Sequence, residues 1–199
     1  VLHSGVFCAH ADTAPNLIAA ESTSFVAGES YCNTLASQSS HGTHVAGTIA
    51  AADNGIGTIG VAPEAKIIAV KVLSATTGSG SFAGIIQGIV YAADHDADVI
   101  NMSLGVRGGL PKGGNDVAEL INATKRAVQY ARSQNATVVA SAGNDARDLD
   151  HDANVISFPG QVPGVVTVSA TAPVGWAKAP TTTFLDNRAS YTNFGQSAI

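Results

Sequence analysis

HGTHVAGT, His41 to Thr48, decides the reading of this chain. A histidine opens the run, and Gly42, Ala46 and Gly47 behind it leave room for backbone to pack closely beside the ring. Val45, Ala46, Ile49 and Ala50 supply an apolar face, so the spacing predicts a helix anchored on one side with His41 at its mouth. Imidazole is the side chain best suited to carry a proton near neutral pH, which makes His41 a candidate general base.

Outward from this run, strand-length apolar segments alternate with helical patterns. Lys66 to Leu73, Phe82 to His95, Val99 to Leu104, Asp116 to Gln134 and Ala136 to Ala142 read in turn as strand, helix, strand, helix and strand. Ile85, Ile86, Ile89 and Ala93 fall on one stripe of the first helix, and Val117, Leu120, Ile121, Val128 and Ala131 on one stripe of the second. The runs Ile67 to Leu73 and Val165 to Ala170 are nearly continuous in β-branched residues, as expected of parallel strands covered by helices on both faces. The expectation is an α/β fold in three layers, a mostly parallel sheet with crossover helices. The Gly-rich or acidic stretches Thr77 to Ser81, Arg107 to Asn115 and Asp145 to Asn154 follow strand ends, where open parallel sheets build their sites.

Composition narrows the partners. A chain of 199 residues, 45% hydrophobic, is long enough for one sizeable core, so a single domain over 1–199 is expected. Only 13% of residues are charged, the net charge is -5, and no Lys/Arg cluster could neutralise a run of phosphates, which excludes nucleic acid. No apolar stretch reaches the roughly 18 to 20 residues of a membrane span, and the best, Ile67 to Leu73, is interrupted by Lys71. Cys8 and Cys32 suit either one bridge or two partly buried free thiols, and the sequence leaves both open. The chain begins at Val1 inside an apparent strand and stops at Ile199 without a terminal helix, which reads as an excerpt of a longer protein. GSGSFAG, Gly78 to Gly84, fits neither a P-loop nor GxGxxG, so nucleotide binding is not expected.

Four segments in order, HGTHVAGT, GVAP (Gly60 to Pro63), INMSLG (Ile100 to Gly105) and SAGN (Ser141 to Asn144), resemble the subtilisin-like serine peptidases. The resemblance covers nearly the whole chain but only about the first two thirds of a family domain. It implies a secreted, monomeric endopeptidase that cleaves extended polypeptides through a serine acyl-enzyme, with His41 as general base and acid. Asn144 takes the place of the family's oxyanion donor, a role worth roughly 2.7 to 4 kcal/mol. Ser103, Leu104 and Gly105 resemble the substrate-binding strand, and Gly78, Ser79 and Gly80 its opposite edge. Phe82, Ile85 and Leu104 match a distal apolar pocket, and Ser141, Ala142 and Gly143, with Ser157 to Gly160, match walls of the primary one. Asp12 and the loop Ala52 to Pro63 resemble a structural calcium site, with side-chain oxygens from Asp12 and Asn54 and carbonyls from Ala52, Ile56 and Thr58. The catalytic step itself needs no cofactor. Asp145, Asp148, Asp150 and Asp152 read first as a solvated acidic loop; the resemblance sets that loop near the primary pocket, and the alternative reading is a preference for basic residues in a substrate.

The family pattern breaks twice. Its orienting aspartate lies in a VIDSG-type motif, whereas Val1 to Gly5 reads VLHSG, so His3 occupies that place without a fixed negative charge. Its nucleophilic serine lies in a GTSMA-type segment beyond the oxyanion asparagine. Nothing after Asn144 resembles it, and RASYTNFG, Arg188 to Gly195, matches only what precedes it. The 199 residues alone are therefore expected not to cleave peptides, and the alternative is a non-catalytic relative that binds peptides.

Overall fold

The computed structural model describes the chain apart from residues 36, 153, 176–177, 179–180, 182–183 and 197–199. Ile199, where an uncapped end is expected, and Ala153 in the acidic loop lie outside the described residues. The backbone forms two compact units, Val1–Ser103 with Ala127–Thr137, and Leu104–Arg126 with Val138–Ile199.

In the first unit, strands β1 (Leu2–His3), β2 (Thr23–Ser24) and β3 (Val70–Lys71) form a parallel sheet in the order β1-β3-β2. Leu2 pairs with Val70 and His3 with Lys71. Helices α1 (His41–Ala50) and α2 (Phe82–Asp94) and strand β4 (Val99–Met102) also belong to this unit, with short 3-10 turns at Ala14–Asn16 and Ala19–Glu21. Helix α2 starts where Ser81 accepts the Gly84 N–H at 3.0 Å, which satisfies one of the free donors of the first turn. It buries Ile85, Ile89 and Ala93 of the expected stripe, while Ile86 is only half-buried. Burial of each isoleucine is worth about 2 kcal/mol. Gly88 allows the approach, because a Cβ there would lie 2.8 Å from Val72 Cγ1 and 3.1 Å from Leu2 Cδ2. This contact sets α2 directly on β1 and β3.

Helix α3 (Asn115–Ser133) follows. Its stripe is graded: Val128 and Ala131 are buried, Val117, Leu120 and Ile121 only half-buried. In the second unit, Val139 to Ser141 of β6 (Thr137–Ser141) pair in parallel with β8 (Val166–Val168). Two antiparallel pairs join them, β5 (Leu110–Pro111) with β7 (Val155–Ile156) and β9 (Thr171–Val174) with β10 (Phe184–Arg188).

Three expectations need correction. The strand from Ile67 to Leu73 shortens to a two-residue ladder, with a separate bridge from Leu17 to Ile67. The run from Val165 to Ala170 is not buried on both faces, since Val166 and Val168 are about half exposed. Leu110–Pro111, expected within a loop, pairs with Val155–Ile156, a contact that no local pattern announces.

Candidate active site

His41 is the first residue of α1, and its N–H is held by Ser39 Oγ at 3.3 Å. A glycine must follow it, because a Cβ at Gly42 would overlap the Gly5 carbonyl oxygen. Gly47 is under no such pressure: a Cβ there would meet only Thr13 Cγ2, at 3.6 Å. Ala46 and Ala50 are buried with Val6, Ile67 and Ala69, and this cluster anchors the helix.

His3 ends β1 and is 5% exposed. Its Nε2 lies 2.7 Å from His41 Nδ1 and 2.9 Å from the Ser103 carbonyl oxygen. Its Nδ1 accepts the Ser4 N–H at 2.7 Å and lies 3.1 Å from Ser4 Oγ. The two rings are 4.5 Å apart and tilted by 43°. Burial, and then the facing His41, push His3 down to about 4 from its ordinary 6.5, against the opposing pull of the Ser103 bond. His3 is thus neutral at physiological pH.

Beneath Ser4 lies Lys71, fully buried. Its ammonium donates to the Ser4 carbonyl at 2.8 Å and Asn33 Oδ1 at 3.1 Å, and pairs with Glu29 Oε2 at 3.0 Å. Asn33 Nδ2 also donates to the Ser4 carbonyl, at 3.0 Å. Hydrogen bonds from Ser74 and the Ala75 N–H, then Lys71, hold the Glu29 carboxyl at about 2. A disulfide joins Cys8 to Cys32, Cα atoms 5.4 Å apart, beside the bridge between Val6 and Cys32. Of the two readings of these cysteines, the bridge is the one formed. In the sequence Lys71 reads only as an interruption of an apolar run, although a lone cation inside AVKVL is the available signal of a buried pair.

Of the expected peptide-binding residues in this unit, Gly78, Ser79 and Gly80 are exposed, and Phe82 is 39% exposed. Gly80 tolerates no side chain, since a Cβ would overlap the Val72 carbonyl oxygen. Ser103 places its carbonyl on His3 and its hydroxyl under Asn101 Nδ2, at 3.0 Å.

In the second unit, Asn144 is exposed just past the end of β6. Its turn is gripped by Asn193, 2% exposed, a residue that no motif marks in the sequence. Asn193 Nδ2 donates to the Ala142 carbonyl at 2.8 Å, its Oδ1 accepts the N–H groups of Asp145 and Arg147 at 3.0 Å each, and its own N–H donates to the Gly143 carbonyl at 2.9 Å. Ser157 Oγ adds a second donor to the Ala142 carbonyl at 2.6 Å. Gly143 has φ +101, and a Cβ there would fall 2.5 Å from Asn193 Nδ2, so only glycine fits. Ser141 donates to the Leu104 carbonyl at 3.3 Å, Gly105 is exposed, and Ala142 is buried. Leu104 is 8% and Ile85 5% exposed, so their side chains belong to core packing rather than to an open pocket. Asp145 is committed locally, accepting the Gly108 N–H at 3.0 Å.

Asp12 is 7% exposed, and Thr58 donates its N–H to Oδ2 at 3.2 Å. Asn54 Nδ2 reaches the Ala11 carbonyl at 3.2 Å, while its Oδ1 accepts the Ile56 N–H at 3.1 Å; Ala52 donates its N–H to the Asp12 carbonyl at 2.7 Å. The loop is therefore folded around a buried carboxylate that has no Lys or Arg partner among the described residues, which fits a hard cation. No group of three or more His, Cys, Asp or Glu gathers among the described residues. A cavity of ≈ 870 Å³ in the first unit is walled by residues such as Phe7, Leu35, Thr43, His44 and Ile59. Neither His3 nor His41 lines it.

The Subtilase family profile matches residues 1–198. Subtilisin DY of Bacillus licheniformis is 40% identical over 170 residues, 85% of this chain and 54% of that protein. Subtilisin E of Bacillus subtilis (strain 168) is 41% identical over 170 residues, 85% of this chain and 39% of the relative. The Major intracellular serine protease of Bacillus subtilis (strain 168) is 44% identical over 132 residues, 66% and 38% of the two chains. Among solved structures, Sphericase superposes with a TM-score of 0.71 at 32% identity, covering 97% of this chain and 57% of that one. With its strands mostly parallel and its helices packed on them, the chain belongs to the subtilase family of serine proteases. It spans about half the length of the curated relatives it matches. No helix among the described residues is long and apolar enough to cross a membrane.

Proposed function

We propose that this chain is the part of a serine endopeptidase that carries the general base, His41, and the oxyanion donor, Asn144. The observation that supports it most is His3 Nε2 standing 2.7 Å from His41 Nδ1, the place an orienting group takes behind a catalytic imidazole. In the reaction, a serine supplied from outside these 199 residues attacks the scissile carbonyl. His41 Nε2 takes the serine proton and returns it to the leaving amine. The Asn144 amide donates to the developing oxyanion, in a turn that Asn193 keeps rigid. Main-chain pairing to an extended polypeptide is assigned to Gly78 to Gly80 and Ser103, with Phe82 beside them, in the first unit, and to Leu104, Gly105 and Ser141 to Gly143 in the second, each unit taken by itself.

A second reading, peptide binding without hydrolysis, is favoured by one observation: the residue behind His41 is a neutral imidazole, not a carboxylate. The reading further includes a monomeric enzyme, and secretion, for which the Cys8–Cys32 bridge speaks. It also includes a calcium ion held by Asp12, Asn54 and the carbonyls of Ala52, Ile56 and Thr58, where it would stiffen the loop. The test is hydrolysis of peptide anilides by the full-length protein, with a serine-directed phosphonate as covalent probe. Slow hydrolysis that stops in His41→Ala supports the peptidase. Turnover indifferent to His41→Ala overturns it, and peptide binding with neither labelling nor hydrolysis selects the second reading.

A further inference from the structure

We infer that His3 locks His41 in the inverted tautomer, with its proton on Nε2, so that the nitrogen meant to accept the nucleophile's proton is already protonated. The inference rests on the reading of His41 as general base and concerns the positioning residue behind it.

The argument starts from two backbone groups. The Ser4 N–H points at His3 Nδ1 from 2.7 Å, and an N–H donor needs a lone pair, so His3 Nδ1 carries no proton. His3 is neutral, so its single proton sits on Nε2. The Ser103 carbonyl, 2.9 Å from Nε2, is an acceptor and agrees with that assignment. Nε2 then has no lone pair in the ring plane to offer His41 Nδ1 at 2.7 Å. An N–H on His41 Nδ1 would face another N–H, so Nδ1 must be the lone-pair nitrogen and the proton of His41 must be on Nε2. A carboxylate in the same place would impose the opposite: it can only accept, so it would fix the proton on Nδ1 and leave Nε2 open.

The lock is stiff because Ser4 cannot turn away easily. Its carbonyl is held by the buried Lys71 ammonium and by Asn33 Nδ2, and Lys71 is itself held by Glu29. For His3 to reverse polarity, its proton would have to move to Nδ1, against the Ser4 N–H, while Nε2 turned a lone pair on the Ser103 carbonyl oxygen. Both changes oppose fixed main-chain dipoles. The consequence for the reaction is double: His41 starts with the wrong nitrogen free, and the imidazolium formed on proton transfer would aim a second N–H at His3. His3 therefore orients the ring while leaving its protonated nitrogen toward the nucleophile.

The test is proton-nitrogen correlation spectroscopy of the chain labelled with ¹⁵N-histidine, near neutral pH and without substrate. The expected spectrum gives His3 and His41 each a pyrrole-type Nε2 and a pyridine-type Nδ1. In His3→Asp, the two His41 signals exchange character, Nδ1 becoming pyrrole-type. A wild-type spectrum with His41 protonated on Nδ1 overturns the inference, and so does a folded His3→Asp variant whose His41 signals keep the wild-type pattern. The wild-type spectrum decides even where the variant fails to fold. Because the resting chain is measured, the tautomer can stand or fall separately from peptide hydrolysis.

Discussion

Acidification should destabilise this chain through His3 before most carboxylates protonate. Folded, His3 is held to about 4 by burial and by His41, whereas unfolded it titrates at its ordinary 6.5. Between these values the unfolded chain binds a proton that the folded chain refuses, so stability falls as pH drops through that window. The contribution is complete above about 6.5 and lost progressively toward 4. Converted at 1.36 kcal/mol per tenfold, the difference is about 3 kcal/mol, a large share of the roughly 5–15 kcal/mol that holds an ordinary domain. The assay is urea unfolding followed by circular dichroism at pH 7.5, 6, 5 and 4, on the wild type and on His3→Asn, which keeps polar contacts and removes the titration. Subtracting the two series cancels the groups that do not touch His3 and leaves His3 together with its coupling to His41. The difference should grow by about 3 kcal/mol between pH 7.5 and 4. Parallel series, with no difference that depends on pH, would refute the argument.

Lys71→Met should lower stability by about 3 kcal/mol in the same assay, because it leaves the Ser4 carbonyl and Asn33 Oδ1 buried without their cation; a loss under about 1 kcal/mol would show the pair to be dispensable. Replacing both Cys8 and Cys32 by serine should cost roughly 3 kcal/mol, the value for closing a loop of this length, and an unchanged urea midpoint would contradict it. Asn193→Ala strips partners from the Ala142 carbonyl and the N–H groups of Asp145 and Arg147, so amide hydrogen exchange across 143–147 should accelerate about tenfold or more; unchanged exchange would remove Asn193 from the support of Asn144. Calcium should raise the Tm of the wild type but not of Asp12→Asn, and an equal rise in both would move the ion elsewhere.

The alternation of apolar runs and amphipathic patterns made α1, α2, α3, β4 and β6 legible, since each buries a stripe whose period is written locally. Short strands were less legible. A two-residue pairing such as Leu110–Pro111 with Val155–Ile156 depends on a partner over 40 positions away, and hydrophobic periodicity says nothing about it. At the site, motifs pointed to His41 and to the substitution at His3, and the structure brings the two rings together. What the motifs omitted are residues that act through backbone: Lys71 and Asn33 on the Ser4 carbonyl, and Asn193 around the Asn144 turn. Their side chains bind main-chain atoms of distant segments, so their roles exist only once the chain has folded. Leu104 shows the converse, a family position whose side chain serves the core.

The most direct measurement is kcat for a peptide anilide in the full-length protein, wild type against His3→Asp, with His41→Ala as the zero. An orienting carboxylate behind a catalytic histidine is worth about 10⁴ in turnover, so the substitution should raise kcat on that order, and His41→Ala should abolish the gain. Equal kcat in wild type and His3→Asp, with His41 essential in both, would mean that the imidazole at position 3 does not hold back the base.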